Sequence, residues 1–354
     1  MSLDAFRGAT IASMLLVNNP GDWSNVYPPL LHAEWNGWTF TDTVFPFFLW
    51  IVGVAMTFSF ARRVEQGDDR GKLFLHVLRR SALIFALGLL LAGFPHYDLS
   101  RIRIPGVLQR IAVCYLIGSA IFLTTRIRGQ VIWIIGLLAG YWALMTLVPV
   151  PGCGAGVLTP ACNFSAWVDW QVLAGHMYSK TKTWDPEGIV STLPSVATLL
   201  FGALAGHLLR SKVGLEVKAG WLFSAGALLM GAGTLMDYAL PINKNIWTSS
   251  YSVFMAGLAA VALGVWYWLL DVQGWRRWAR PFVIYGMNAI VLYVCSGALA
   301  RFMGMTGTGA WLMEHVFSPL ASPKNASLLF ALTHVAVIGL AAWMLHARRW
   351  YVRL

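Results

Sequence analysis

His32 is the residue whose type and position best fit chemistry, because it stands in a short polar loop, residues 22–42, between two apolar stretches. A reactive imidazole in such a loop indicates group-transfer chemistry. Asp42 ends the same loop, directly after Thr41, and has two interpretations. Either it caps the helix that follows, or it orients the His32 ring through a ring N–H and stabilises the imidazolium, which would make the histidine a useful base.

The composition identifies the class of protein that carries this histidine. Of 354 residues, 58% are hydrophobic and 12% are charged, and the mean hydropathy is +0.63, values outside the range of a soluble globular domain. The chain is therefore predicted to be an integral membrane protein. Lipid offers no hydrogen-bond partners, and the apolar runs reach the ~20 residues that a spanning helix needs, so we expect helices rather than barrel strands.

The elements that position the loop are predicted from these apolar runs. We expect an all-α fold, a polytopic membrane helix bundle with about ten transmembrane helices in a single domain, residues 1–354. The first run lacks a basic leading segment and a small-residue cleavage site, so it is predicted to be retained as a span. The predicted spans are residues 4–20, 42–61, 74–94, 106–125, 130–149, 188–209, 219–239, 247–270, 281–301 and 325–346.

The basic residues give the orientation of these spans, since Lys and Arg of short loops stay on the cytoplasmic side of a membrane. They collect in alternate loops, at residues 62–80, 126–128, 210–218, 276–280 and 348–353. Both termini are therefore predicted to face the cytoplasm, and His32 the opposite side. The net charge of +11 is then mostly a signal of topology, with added contact to membrane lipids, and it does not indicate binding to nucleic acid.

The loops on the predicted outer side contain tryptophans and two cysteines. Trp35 and Trp247 lie in polar clusters, where an indole ring either belongs to an interfacial belt or stacks on a sugar. Cys153 and Cys162 either form a disulfide, which an oxidising compartment would permit, or remain two free thiols. No group of residues has the spacing of a zinc or haem site, so no metal is predicted.

A charged residue near the membrane needs a partner or a function. Arg110 follows Gln109 in the first turns of the fourth span and requires an acceptor. Either it pairs with an acidic residue, or it lines a substrate pocket. The acidic candidates are Asp42, Asp185 and Glu187.

Several short blocks that contain these polar residues are spread along nearly the whole chain. They are residues 2–8 (SLDAFRG), Asn18, residues 32–38 (HAEWNGW), 42–46 (DTVFP), 104–110 (IPGVLQR), 185–188 (DPEG), 243–247 (NKNIW) and 286–290 (GMNAI). In type and in order, the blocks resemble those of the heparan-α-glucosaminide N-acetyltransferase family. One block alone would be weak evidence for the family, but the set of blocks in this order is specific to it.

The resemblance implies acetyl transfer from cytoplasmic acetyl-CoA to the amine of glucosamine or of a terminal glucosaminide at the opposite face. His32 matches the active-site histidine of the family, and Asn18 and Asp42 become its expected neighbours. On that basis His32 and Asp42 are assigned to catalysis, and Asn18 and Arg110 to the acetyl-CoA. The residues assigned to the amino-sugar substrate are Trp35, Asn36, Asp185, Glu187, Asn243 and Lys244.

The lysosomal members of the family carry an additional amino-terminal region that this sequence lacks. The chain therefore resembles the shorter bacterial relatives, which implies a bacterial inner membrane and leaves the natural acceptor open. Small residues on helix faces, such as Gly226, Gly231 and Gly233, permit close contacts and make a homo-oligomer possible.

The charge of CoA constrains the mechanism, because its phosphates cannot cross hydrocarbon. The nucleotide is expected near the cytoplasmic Lys and Arg side chains, with the pantetheine arm passing small residues such as Gly53 and Gly118 toward His32. His32 then either takes the acetyl group itself or acts as a general base for the sugar amine. Two other functions stay open: an amino-sugar transporter, and an O-acyltransferase of an envelope glycan.

Overall fold

The computed structural model describes residues 1–67 and 69–351, so Arg353 of the last basic loop lies outside the described residues. The described chain is helical and contains only two isolated β-bridges, with no strand. The helices are α1 (Ser2–Asn18), α2 (Phe40–Glu65), α3 (Arg70–Gly93), α4 (Val107–Thr124), α5 (Ile127–Leu147), α6 (Phe164–Leu173), α7 (Thr192–Arg210), α8 (Leu215–Asp237), α9 (Ser249–Tyr267), α10 (Arg280–Met287), α11 (Ala289–Thr306), α12 (Thr308–Leu312) and α13 (Pro323–Ala347).

Nine helices in the described ranges are long and apolar enough to cross a membrane. The first predicted span, residues 4–20, corresponds to α1, which has 17 residues and a length of about 25 Å at 1.5 Å per residue, slightly short of a bilayer core. The prediction of an all-α, polytopic membrane protein with about ten spans is confirmed.

The ninth predicted span, residues 281–301, is not one helix. The backbone leaves the helical conformation at Asn288, with φ −125° and ψ 34°, and this residue separates α10 from α11. The Asn288 side-chain amide donates to the Trp350 carbonyl at 3.1 Å. An asparagine that bonds to backbone outside its own helix competes with helical geometry, which hydropathy alone does not reveal.

The chain forms two compact units, each assembled from separate segments. Unit 1 contains residues 1–33 and 38–48 and everything described from residue 262 onward. In it, α1 and α10 pack at backbone distance: a Cβ on Gly8 would lie 1.7 Å from the Phe282 carbonyl oxygen, and one on Gly286 would lie 2.0 Å from the Asp4 carbonyl oxygen. Only glycine fits such a crossing.

Unit 2 contains residues 34–37 and 49–261. Its helices also cross at glycines: a Cβ on Gly53 of α2 would lie 1.9 Å from the Leu199 carbonyl oxygen of α7. A Cβ on Gly226 of α8 would lie 2.8 Å from the Gly257 carbonyl oxygen of α9. Gly53, proposed from the sequence for a pantetheine path, and Gly226, proposed for contacts between chains, thus serve helix packing within the unit, whereas a Cβ on Gly231 would meet nothing within 4 Å. That the chain acts as a single domain stays a prediction.

Candidate active site

The loop between α1 and α2 in unit 1 brings His32 and Asp42 together. His32 Nδ1 lies 2.6 Å from Asp42 Oδ1. The Asp42 side chain is 1% exposed, whereas the His32 side chain is 48% exposed. With the carboxylate ionised, Nδ1 carries the ring hydrogen and donates it to Asp42, so Nε2 presents its lone pair. The pair thus combines a fixed carboxylate with an imidazole that a substrate can reach.

The second oxygen of Asp42 fixes the loop. Oδ2 accepts hydrogen bonds from the backbone N–H of Ala33 at 3.0 Å and of Thr39 at 2.9 Å, and from the Thr39 hydroxyl at 3.2 Å. The Thr39 hydroxyl also contacts the Leu31 carbonyl at 2.5 Å. The residues on either side of His32 are therefore tied to the carboxylate that orients its ring.

Asn18, assigned from the sequence to the same region, is the last residue of α1 and is exposed. Within the described part of unit 1, no hydrogen bond joins it to His32 or Asp42. Its neighbour Asn19 instead donates to the Leu15 carbonyl at 2.7 Å. The structure therefore leaves the Asn18 side chain accessible without giving it a role.

A network of buried charges in unit 2 surrounds residues 185–189, here called the acidic turn. Arg103 donates from Nε and Nη2 to the two carboxylate oxygens of Asp185, at 2.9 and 2.5 Å, and from Nη2 to Glu187. Its guanidinium also lies 4.6 Å over the ring of Tyr178. Both acids are predicted from the sequence to contact substrate, but in the structure they bind Arg103, which no pattern in the sequence indicates.

The charges of this network shift one another's protonation equilibria. Burial acts to raise the pKa of Glu187, but the cations Arg103, Lys244 and Arg110 outweigh it and hold that pKa below its ordinary value. Burial likewise acts to lower the pKa of Arg103, and Glu187 and Asp185 overcome it, so its pKa is raised. Glu187 and Arg103 are therefore charged at neutral pH.

Arg110 supports the acidic turn through the backbone. Its guanidinium donates to the Gly188 carbonyl at 2.7 Å, to the Ser191 hydroxyl at 2.5 Å and to the Ser195 hydroxyl at 3.0 Å. It also lies 5.3 Å over the ring of Trp247. Within the described part of unit 2, neither acid of the turn accepts a hydrogen bond from it, so its interaction with them is purely electrostatic.

Residues 34–37 meet residues 242–245 in the same unit. Gly37 N–H donates to the Ile242 carbonyl at 2.7 Å, and the Asn243 amide donates to the Asn36 side-chain oxygen at 3.1 Å. Lys244 is 9% exposed, and its charge acts on Glu187. Asn36, Asn243 and Lys244, all assigned to substrate from the sequence, thus lie in one polar region.

The two tryptophans of the outer loops differ in exposure. Trp35 is half-buried, its Nε1 donates to the Leu158 carbonyl at 2.7 Å, and its ring lies edge-on to Trp184 at 5.2 Å. Trp247 is fully buried, and its Nε1 donates to the Thr198 hydroxyl at 3.3 Å. Neither the interfacial belt nor sugar stacking fits Trp247, because its ring has no exposed face; it serves the core.

Cys153 and Cys162 are joined by a disulfide, with their Cα atoms 5.8 Å apart. Among the described residues, no three His, Cys, Asp or Glu side chains are grouped as a metal site would require.

Fold and loop together define a class: a multi-pass helical membrane protein in which a histidine of the loop after the first helix pairs with an aspartate in the first turn of the second helix. A family model described as heparan-alpha-glucosaminide N-acetyltransferase, catalytic, matches residues 1–242. The chain belongs to this family. The matched region contains His32, Asp42, Arg103 and the acidic turn, and it ends directly before Asn243.

Two curated relatives are similar to the chain over most of its length. The human heparan-alpha-glucosaminide N-acetyltransferase is 30% identical over 349 residues, which are 83% of this chain and 52% of the human protein. The mouse protein of the same name is 29% identical over 356 residues, 85% of this chain and 53% of its own length. The chain thus spans about half the length of these relatives.

Proposed function

We propose that the protein is a transmembrane N-acetyltransferase that moves the acetyl group of acetyl-CoA to the amine of an amino sugar, glucosamine or a terminal glucosaminide. The observation that carries this proposal is the contact of 2.6 Å between His32 and the buried carboxylate of Asp42, in a chain of this family. An imidazole so oriented, with Nε2 presented at an exposed position, is suited to acyl transfer.

Two balanced routes are open to this pair. In direct transfer, the neutral sugar amine attacks the thioester carbonyl, Nε2 of His32 takes the proton from the nitrogen, and the proton passes to the departing CoA thiolate. In the covalent route, Nε2 itself attacks the thioester and releases CoA as its thiolate. The amine then takes the acetyl group from the imidazole, and the proton that the nitrogen loses passes to the thiolate. In both, a positive charge develops on the ring beside Asp42, whose carboxylate stabilises it.

The acceptor is proposed to contact polar side chains of unit 2. Trp35 offers a half-buried aromatic face, and Asn36 an exposed amide. Asn243 and Lys244 adjoin Asn36, which makes them candidates for contacts with sugar hydroxyls. Asp185 and Glu187 are proposed to line the acceptor pocket, with Arg103 keeping both carboxylates in place.

The donor requires cations for its phosphates, and the basic loops supply them. Arg80 in the middle of α3 fits this need, since its Nε is buried and has no hydrogen-bond partner within the described residues, while its guanidinium lies 5.2 Å over the Tyr115 ring. Asn18 stays a proposed donor contact because it is exposed. Arg110 is assigned to the donor with less support, because its bonds are to the protein.

The proposal is tested with purified protein, labelled acetyl-CoA and glucosamine, scored for N-acetylated sugar. We expect transfer by the wild type and its loss in His32→Ala. His96→Ala is the matched control, since His96 is an exposed histidine of another loop, and it should keep full activity. A wild type that forms no N-acetylated sugar, or a His32→Ala variant as active as His96→Ala, would contradict the proposal.

A further inference from the structure

A buried acid that the proposed function does not use stands behind the acidic turn. Asp169 lies on α6, a helix of ten residues that is too short to be a span, and its side chain is fully buried. Its Oδ1 accepts a hydrogen bond from the Ile189 N–H at 2.8 Å, and its Oδ2 accepts one from the Asp185 N–H at 3.3 Å. One carboxylate thus binds both ends of the turn.

The turn closes tightly on this carboxylate. A Cβ on Gly188 would lie 2.0 Å from Asp169 Oδ2, so glycine is required where the backbone passes it. The opposite side of the turn is held by side chains from two other elements, Arg103 on Asp185 and Arg110 on the Gly188 carbonyl. Three side chains therefore hold the turn, and Asp169 is the one that accepts hydrogen bonds from its backbone N–H groups.

The charges that face Asp169 come from each element packed on α6. Asp185 faces it from the turn and Arg110 from α4, while Tyr141 faces it from α5. Burial and, to a smaller extent, the charge of Asp185 raise the pKa of Asp169 to about 6, although the two backbone N–H groups and Arg110 act to lower it. The two backbone hydrogen bonds are the interactions that hold the carboxylate at this buried position.

We propose that Asp169 is a positioning residue, whose carboxylate holds the backbone of the acidic turn so that Asp185 and Glu187 are presented to the amino-sugar acceptor. The effect on the acceptor rests on the proposed function. The effect on the turn is independent of the proposed function, because it follows from the two hydrogen bonds alone.

The first test measures amide hydrogen exchange of residues 184–191 in the full-length protein in detergent. Asp169→Leu removes both acceptors and leaves two buried N–H groups unpaired, so we expect exchange of this segment to become about tenfold faster or more. Asp169→Asn keeps one acceptor, and its exchange should lie between those of the wild type and the Leu variant. Unchanged exchange in both variants would overturn the proposal.

Asp98→Leu is the matched control, because Asp98 also accepts hydrogen bonds from a nearby residue, Ser100, but lies exposed in another loop. We expect it to leave exchange of residues 184–191 unchanged. An Asp98 variant that accelerates this segment as strongly as Asp169→Leu would overturn the proposal, since the effect would then belong to any lost loop carboxylate.

The second test separates acceptor from donor binding in acetyl transfer. Because Asp169 acts through the turn, Asp169→Asn should raise KM for glucosamine severalfold and leave KM for acetyl-CoA and the rate at saturating glucosamine within about twofold. Equal losses for both substrates would overturn the positioning role. Faster exchange with an unchanged KM for glucosamine would support the hold on the turn and contradict the acceptor role proposed for Asp185 and Glu187.

Discussion

A buried carboxylate needs partners for both of its oxygens, and Asp42 finds them within ten residues of chain. One oxygen takes the His32 ring, and the other takes the N–H groups of Ala33 and Thr39. The sequence left two roles open for Asp42, cap of the following helix and partner of the histidine. Asp42 lies in the first turn of α2 and accepts from the Thr39 N–H just before that helix, so it stabilises the start of the helix and also pairs with His32. Loop geometry and ring orientation are set by the same group.

Asp42→Asn tests this dependence. We expect the amide oxygen of the introduced asparagine to keep the hydrogen bonds from the backbone N–H groups of the loop. The amide NH₂ group would then face Nδ1 of His32, which must accept a hydrogen bond rather than donate one. The ring hydrogen moves to Nε2, and the lone pair needed for chemistry is lost. We predict a fall of about 10⁴-fold in the rate of acetyl transfer, the size seen in kcat when the orienting aspartate of a serine-protease triad becomes asparagine.

The control is Asp22→Asn, another loop carboxylate of unit 1, which accepts from the Ser24 N–H at 2.8 Å and has no contact with His32 in the described structure. It should keep activity within about twofold. An Asp42→Asn variant as active as this control would mean that the carboxylate does not act on the imidazole.

Sequence distance explains which residues could be predicted. His32 and Asp42 lie in one short loop, so their pairing was within reach of a local argument. Arg103 is 82 and 84 positions from the acids that it binds, and it stands beside another arginine in a loop with no pattern that singles it out. Asp169 was missed for a similar reason, because α6 resembles a short apolar loop segment.

At the scale of elements, the apolar length of a span is a strong signal, and the predicted spans lie within several residues of the observed helices. Two features do not follow from hydropathy: the break at Asn288, made by a side-chain bond to Trp350, and the placement of α6 beneath the acidic turn. Both depend on contacts between residues that are far apart in sequence.

The crossing of α1 and α10 gives a prediction at this scale. Gly8→Ala places a methyl group 1.7 Å from the Phe282 carbonyl oxygen, so the helices must separate. We predict a loss of about 3 kcal/mol in the free energy of unfolding, at the upper end of the usual range for overpacking, measured as thermal unfolding in detergent.

Gly136→Ala on α5 is its control, since a Cβ there meets nothing within 4 Å. Alanine is the better helix former, so this variant should equal or exceed the wild type in stability. If Gly8→Ala and Gly136→Ala unfold at the same temperature, the backbone contact of α1 with α10 does not exist.

Asp169 gives a pH-dependent prediction for the packing of α6. Its folded pKa of about 6 lies above the ordinary 3.8, so its contribution to stability is fully present below pH 3.8 and is lost as pH rises through 6. Asn cannot titrate. The stability of Asp169→Asn relative to the wild type should therefore shift in favour of the variant by about 1.5 kcal/mol between pH 5 and pH 7.5.

The measurement is the difference in unfolding free energy between the variant and the wild type at each pH. Asp98→Asn serves as the reference, because hydrogen bonds from Ser100 lower the pKa of Asp98 and place its titration below this interval. A difference for Asp169→Asn that stays constant from pH 5 to pH 7.5 would show that this carboxyl does not titrate near 6.

At the scale of the whole molecule, the distribution of basic residues supports a proposed sidedness. Lys and Arg collect in alternate loops, whereas residues 8–61, which include the loop of His32, contain no Lys or Arg. The polyanionic donor is therefore expected at the basic, cytoplasmic side and the amino sugar at the other. An enzyme arranged in this way carries only an acetyl group across the membrane.

Sealed right-side-out vesicles test this claim most directly. Labelled acetyl-CoA is enclosed inside, glucosamine is added outside, and N-acetylglucosamine is measured in the outer medium for the wild type and for His32→Ala. We expect labelled product outside with the wild type and none with the variant. Entry of unmodified glucosamine that does not depend on acetyl-CoA, with no acetylated product on either side, would contradict it.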